Sequence, residues 1–512
     1  MKKSAIILFL ALFILVGCAP LDFLSSQDNQ ERIGLIPLDS RPANTQYPEL
    51  LAELAGLDLE IPYEYLDNFL IPANRDQLWQ WLTKETTEFN TLIINTSVLF
   101  NGSLIETRNP EAYKLAEEQL EQFRSFCLEN KDKNIIVINV LPRLLPSQFT
   151  NLWPYQKPLV EYAIALDKAD LSGQGDISLP SDVPEELVQD YLSIYTRAEL
   201  IAHSLIEMAQ EGLIDYLLFG QDDAEKHGLS NRIVRKISKD FTEKITFVHG
   251  ADELTMLALV KNAISVPEQG INISYSNKDF TTKVFPFEAD TLEKVLEAKL
   301  NYLGLKNNPH SPFLEIIHTD PNNSTEVLTL IEENHHDYLG VADIAFTNRG
   351  DISLRESFLA PQVFNRINGY SGWNTASNTL GTELSNFATV QHFLSQDWKK
   401  AEKIKALEAY MNFKYIRFAE DFVYQGILRN ELNNRLLAKG LDPNNLGERK
   451  AEAETILKEL FVPYQEQLQK AFMGEHTLGD LIFTVKEIKS EISLPWARTF
   501  EAKIVPEVKV KL

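Results

Sequence analysis

The chain's apolar pattern predicts an α/β fold of repeated strand–helix units, closed into a (β/α)-barrel-like ring or left as a doubly wound parallel sheet. Three observations carry that expectation. Short, nearly continuous apolar runs recur, as in Thr91-Leu92-Ile93-Ile94-Asn95-Thr96, and such runs mark strands buried on both faces. Stretches with helical periodicity separate them. Several runs end in turns carrying charged side chains, and the carboxyl ends of strands are where such folds bind ligands. The barrel-like form is preferred because so many strand ends contribute polar groups.

Folded sequence starts with a buried-type strand at 32–38, which runs into Asp39-Ser40-Arg41-Pro42-Ala43-Asn44 and a helix at 47–55. Residues 59–62 form a weak strand and 75–84 a helix. The strand at 91–96 precedes a helix at 110–128, whose Pro110 suits a first turn. A strand at 134–140 ends in Leu141-Pro142-Arg143. Residues 147–184 have weak periodicity and read as a loop-like excursion over the strand ends, with Trp153 able to stack on a sugar or simply to pack. A helix follows at 185–212.

The run Tyr216-Leu217-Leu218-Phe219 then stops at Gly220 and delivers Gln221-Asp222-Asp223. The layout repeats at 245–249, which ends Gly250-Ala251-Asp252-Glu253 before a helix at 254–262. Strands are expected at 270–275, 282–287, 313–318 and 338–346, the last ending Thr347-Asn348-Arg349, and helices at 292–303 and 325–333. His335-His336 has no partners at metal-ligand spacing and reads as a solvated turn. Residues 369–382 are dense in Gly, Asn, Thr and Ser around Trp373, a lining suited to a polyhydroxylated ligand or else a capped helix start. Residues 32–395 are therefore assigned to an α/β catalytic domain, 396–480 to a helical region and 481–512 to a small β segment.

The N-terminus reads as an address. Met1-Lys2-Lys3-Ser4 is a basic start, residues 5–16 are apolar but short for a bilayer span, and Leu15-Val16-Gly17-Cys18 resembles the bacterial lipobox. That resemblance implies a signal peptide over 1–17, a lipid on Cys18, a tether over 18–31 and a membrane-anchored, extracytoplasmic protein. Cys127 is then the one remaining cysteine, so the mature chain has no intramolecular disulfide, and its apolar neighbours make it a core thiol. A net charge of -24 argues against nucleic acid as a partner.

Adjacent carboxylates at a strand end repel unless a proton, a metal or a substrate offsets them. One carboxylate would suffice to cap the following helix, so Asp222-Asp223 points to chemistry. Together with Asp39, Arg41, Asn44, Asp252, Glu253, Asp343 and Asn348, the pair would gather at one face of a parallel sheet.

These motifs resemble an uncharacterised bacterial family, the domain-of-unknown-function 4127 family. The resemblance spans essentially everything after the tether. It rests on residues 37–44, Gly220-Gln221-Asp222-Asp223-Ala224, Gly250-Ala251-Asp252-Glu253, Ala342-Asp343 with Asn348, and residues 372–381 including Trp373, Asn374 and Asn378. Asp421, Tyr424-Gln425 and Leu494-Pro495-Trp496-Ala497-Arg498-Thr499-Phe500-Glu501 complete it, with Ala497 where the family motif has Asn. The family implies no activity.

The residues lead to a glycoside hydrolase as the expected function. The Asp pair resembles that of glycosidases whose substrate's own acetamido group is the nucleophile, with Asp223 as acid and Asp222 as polarising partner. Asp39, Arg41, Asn44, Asp252, Glu253, Asp343, Asn348, Trp373, Asn374 and Asn378 would bind the glycan, and no cofactor is expected. The alternatives are a hydrolase holding Mg, Mn or Ca on Asp39, Asp222, Asp223 and Asp252, and a non-catalytic carbohydrate-binding lipoprotein.

Overall fold

The computed structural model describes residues 31–111, 116–175, 177–333 and 336–512. The signal peptide, Cys18, most of the tether and His335 lie outside the described residues. Six strands, β1 (Arg32–Ile36), β2 (Asp58–Glu60), β3 (Thr91–Asn95), β4 (Asn134–Leu141), β5 (Tyr216–Gln221) and β6 (Ile245–Phe247), form a parallel sheet in the order β2-β1-β3-β4-β5-β6. Chain direction across the sheet reverses between β1 and β3. The crevice beyond such a switch point is where open α/β sheets bind ligands.

Alternate side chains of this sheet enter two cores. Ile33, Leu35, Ile93, Ile136 and Ile138 pack on one side, with the helices Gln46–Ala55 and Leu254–Ala263. Ile36, Leu92, Ile94, Ile135 and Val137 pack on the other, with Arg75–Glu85, Ala116–Glu129 and Glu185–Gln210. Burial on both faces is the reason these strands read as continuous apolar runs. Cys127 is fully buried in the second core, where burial raises its thiol to about 12.

A second parallel sheet contains β7 (Asn272–Tyr275), β8 (Phe313–His318), β9 (Tyr338–Asp343) and β10 (Gly369–Ser371), ordered β10-β9-β8-β7. The strands thus pair as two open parallel sheets. Many strand ends do feed one place, but a ring is not how they reach it. An antiparallel sheet of β11 (Gly474–Leu478), β12 (Leu481–Ser493) and β13 (Lys503–Lys511) follows the C-terminal helices. The first core runs through all three sheets, and residues 31–512 form one compact unit.

Four local expectations change. Residues 147–184 contain a helix, Gln156–Ser172, which buries Leu159, Tyr162 and Ala163 beneath a mostly polar surface that masked its period. Residues 282–287 form no strand: Pro286 lacks an amide donor, Phe287 has φ +65°, and Val284 makes one isolated bridge to Thr291. Residues 369–382 split into β10 and the start of the helix Ala376–Ser395, whose N-cap Thr375 accepts from the Asn378 amide. β11 falls inside the stretch expected to be helical.

Candidate active site

Two glycines bring the acidic strand ends together. A Cβ on Gly220 would stand 2.6 Å from the Gly250 carbonyl oxygen, and Gly250 has φ +105°, a conformation side chains disfavour. The Gln221 amide donates to that same oxygen at 2.9 Å. This approach of backbone to backbone accounts for the shared strand–glycine–acid layout. It places Asp222, Asp223 and Asp252 around one cleft.

Neither Asp222 nor Asp223 caps a helix. The next helix is Leu229–Ile237, and its N-cap is Gly228. The Asp222 amide instead extends the sheet ladder to the Leu141 carbonyl at 3.1 Å, while Asp222 Oδ2 is buried without a hydrogen-bond partner. Asp223 sits at φ +30°, and its carboxylate accepts from Arg143 Nη1 at 2.6 Å. Burial, followed by the Asp222 charge, raises the Asp223 pKa.

Arg41 holds the neighbouring wall. Its guanidinium donates to Asp39 Oδ2 at 2.6 Å and to Asp252 Oδ1 at 2.6 Å, and Asn44 Nδ2 reaches the same two residues. Asn374 Nδ2 donates to Asp252 Oδ2 at 3.0 Å. Burial, with Asp39 and Asp222 nearby, pushes Asp252 up to about 7 against the pull of Arg41. Asn374 and Asn348 have φ +54° and +65°, and the Asn348 amide donates to the Asn374 carbonyl at 2.7 Å. Backbone strain of this kind collects at binding and catalytic sites.

The cleft encloses about 300 Å³. Arg41, Arg108, Arg143 and Arg498 face its three aspartates, and Phe149, Trp153, Trp496 and Phe500 supply apolar faces. Arg41 and Arg498 both lie over the Trp496 ring, at 5.2 and 4.6 Å from its centre, and Trp496 Nε1 donates to Ser40 Oγ at 2.8 Å. A small inner niche continues past Asn374 to Tyr47, Asn348, Trp373, Glu420 and Gln425. Glu420 and Gln425 project from a π-helical segment, Phe418–Leu428, a distortion common at functional sites.

The cleft and niche thus bring together Asp222, Asp223, Asp252, Arg41, Asn348, Trp373 and Asn374, with Asp39 and Asn44 one bond behind. Three nominated residues lie elsewhere. Glu253 is fully buried and accepts from Lys299 Nζ at 2.5 Å. Asp343 pins a loop, accepting from the Asp351 amide at 2.6 Å and the Tyr370 hydroxyl at 3.1 Å. Asn378 lies in the first turn of its helix, outside the cleft lining. Among the described residues no three acidic, His or Cys side chains converge as a metal site. The four aspartates proposed for Mg, Mn or Ca face guanidinium groups of the chain itself, with Arg143 Nε 4.0 Å from Asp222 Oδ2.

Of the four cleft arginines the sequence pattern nominated Arg41 alone, and the far wall was not nominated. Arg143 follows β4 as closely as Asp39 follows β1, so position after a strand was the available signal for it, whereas Arg108 lies at the end of a longer excursion after β3. Trp496, Arg498 and Phe500 lie in the closing motif and enter the site from the opposite end of the chain.

The family model described as a protein of unknown function, DUF4127, matches residues 33–505. The chain belongs to the DUF4127 family. Every residue of the cleft falls inside that match, so the site is built from the family domain alone. No curated protein and no solved structure matches the chain.

Proposed function

We propose that the protein is a glycoside hydrolase, held on the extracytoplasmic face of the membrane by a lipid on Cys18, with Asp222 and Asp223 as its working acids. The observation carrying this reading is the pair itself: two adjacent carboxylates enter one cleft, cap no helix, and hold Asp223 in a disfavoured backbone conformation. Asp223 is the proton donor to the leaving glycosidic oxygen, because burial and Asp222 favour its protonated form. Asp222 Oδ2, buried and unbonded, is free to accept a hydrogen bond from the substrate, as polarisation of an acetamido group requires. Arg41 and Asn374 fix Asp252 on the adjoining wall, and Trp153 offers a face for a sugar ring. Among the described residues no helix is long and apolar enough to cross a membrane, which is compatible with anchoring by lipid.

The test is product release from a panel of neutral, N-acetylated and acidic oligosaccharides, followed by mass spectrometry with the full chain in detergent. Cleavage by the wild type that is lost in both Asp222→Asn and Asp223→Asn is the expected result. Equal cleavage by wild type and both variants overturns the assignment. Sugar binding without any turnover replaces it with a carbohydrate-binding role.

A further inference from the structure

The arginines of this cleft differ in how fully they are paired. Arg41 is taken by Asp39 and Asp252, and Arg498 by both oxygens of Glu501 at 3.1 and 2.8 Å, while Arg143 gives Nη1 to Asp223 and keeps one buried nitrogen, Nε, without a partner. Arg108 is different. It lines the cleft at 6% exposure, yet its Nε and Nη1 are buried with no hydrogen-bond partner. Leaving a buried guanidinium unpaired costs free energy that a folded chain ordinarily avoids.

Its backbone is held in place. Arg197 donates to the carbonyls of Thr107 and, at 3.0 Å, Asn109, the residues on either side of Arg108. The side chain is thus presented by a fixed peptide. Burial, then repulsion from Arg143, draws its pKa down to about 9 against the attraction of Asp222 and Asp223, which leaves it charged at neutral pH with Nε and Nη1 still unbonded. The concentration of guanidinium groups is also local: the chain carries a net charge of -24, yet four arginines meet three aspartates here.

We propose that the cleft binds an oxyanion carried by its substrate, a carboxylate or a phosphate or sulfate ester, seated on the Arg108 guanidinium. A guanidinium donates strong charge-assisted hydrogen bonds to such groups, and the unpartnered Nε and Nη1 on two edges of Arg108 are donors available to them. Arg143 and Arg498 stand near enough to add to the positive field while keeping their own partners. The glycan is accordingly an acidic one. That last step rests on the hydrolase reading, whereas the oxyanion seat rests on the cleft alone.

The test is calorimetric binding of glucuronate, glucose 6-phosphate, glucose 6-sulfate and neutral glucose to the full chain in detergent. These monosaccharides have no glycosidic linkage to a second sugar, so binding is read independently of turnover. At least one charged probe is expected to bind ten-fold or more tightly than glucose, and the best one identifies the oxyanion. Arg108→Gln abolishes that preference without weakening glucose binding, and Arg108→Lys retains part of it. The melting temperature of Arg108→Gln stays at or above the wild-type value, because an unpaired buried cation has been removed. Equal binding of glucose and every charged probe, no binding of any charged probe, or a preference that survives in Arg108→Gln overturns the inference. A melting temperature several degrees lower does so too, since it marks Arg108 as structural. Turnover of neutral glycans without charge preference sinks this inference alone; charge preference without turnover sinks the hydrolase reading alone.

Discussion

The cleft at the first parallel sheet and the acidic cluster beneath the second contain the same groups and differ in what those groups face. Under the second sheet, Glu315 of β8 and Glu383 of the helix Ala376–Ser395 are buried, and the Tyr338 hydroxyl donates to Glu383 Oε1 at 2.6 Å. Burial raises Glu315, with the Glu383 charge adding to it, and pushes Glu383 up to about 8. Nearby, burial lowers Lys414 to about 7. Judged by displaced pKa alone, this cluster is at least as unusual as Asp223 and Asp252. None of its members lines the cleft, however, and glycines seal it: a Cβ on Gly340 or Gly369 would collide with these carboxylates. Burial shifts a carboxyl group wherever it occurs, so a shift marks function only beside open space and unmatched charge.

The largest effect separating the regions is catalytic. Asp222→Asn and Asp223→Asn are each expected to lower turnover by about a thousand-fold, the scale of general acid–base catalysis, with melting temperatures close to wild type. Glu383→Gln is expected to leave turnover within about two-fold, since it touches no substrate. A thousand-fold loss from Glu383→Gln would break the comparison.

Stability reports the other side. Gly369→Ala places a methyl group against Glu383 and the Tyr338 hydroxyl, and overpacking of this kind should destabilise the fold by about 2–3 kcal/mol. Urea unfolding checks it, and the molecules that remain folded should keep the wild-type kcat. The cluster should also tilt the pH dependence of stability. The folded state holds the Glu383 proton up to about pH 8, whereas an unfolded Glu releases it near its ordinary value of 4.5. Its stabilising contribution is therefore fully present below that ordinary value and is lost as pH rises towards 8. Thermal scans should show Glu383→Gln gaining most over wild type at pH 8 and least at pH 4.5; parallel profiles would contradict this.

The smallest effect lies in the cleft. Burial, with Asp39, Asp222 and Glu253 nearby, pushes Asp252 up to about 7 against the pull of Arg41, so acidification through that pH removes negative charge from the wall. Binding of an anionic sugar should strengthen a few-fold as pH falls through about 7. Asp252→Asn should flatten that step, which a pH series of calorimetric titrations measures.

Much of the first sheet was legible because β1, β3, β4 and β5 are buried on both faces and spell continuous apolar runs. Asp39, Arg41, Asp222 and Asp223 were legible for the same reason, since each follows such a run, and Asp252 was legible because residues 245–253 repeat the strand–glycine–acid layout. Glu253 was misplaced because adjacency in sequence hides direction: Asp252 faces the cleft, whereas Glu253 pairs with Lys299 in the core. The choice between ring and open sheets depends on which edges pair, and apolar periodicity carries no record of that. Arg108 escaped notice because its distinguishing property is a missing partner, which only the folded surroundings reveal.

Trp496, Arg498 and Phe500, on the segment between β12 and β13, have a consequence for biosynthesis. The acids of the first sheet are translated early, and by Asp252 half of the chain has been made. The wall opposite them arrives nearly 250 residues later, when Trp496 reaches Ser40. A ribosome that stalls before that point releases a chain with its acids but without a finished cleft. A C-terminal clip would likewise remove the far wall of the cleft without touching an aspartate.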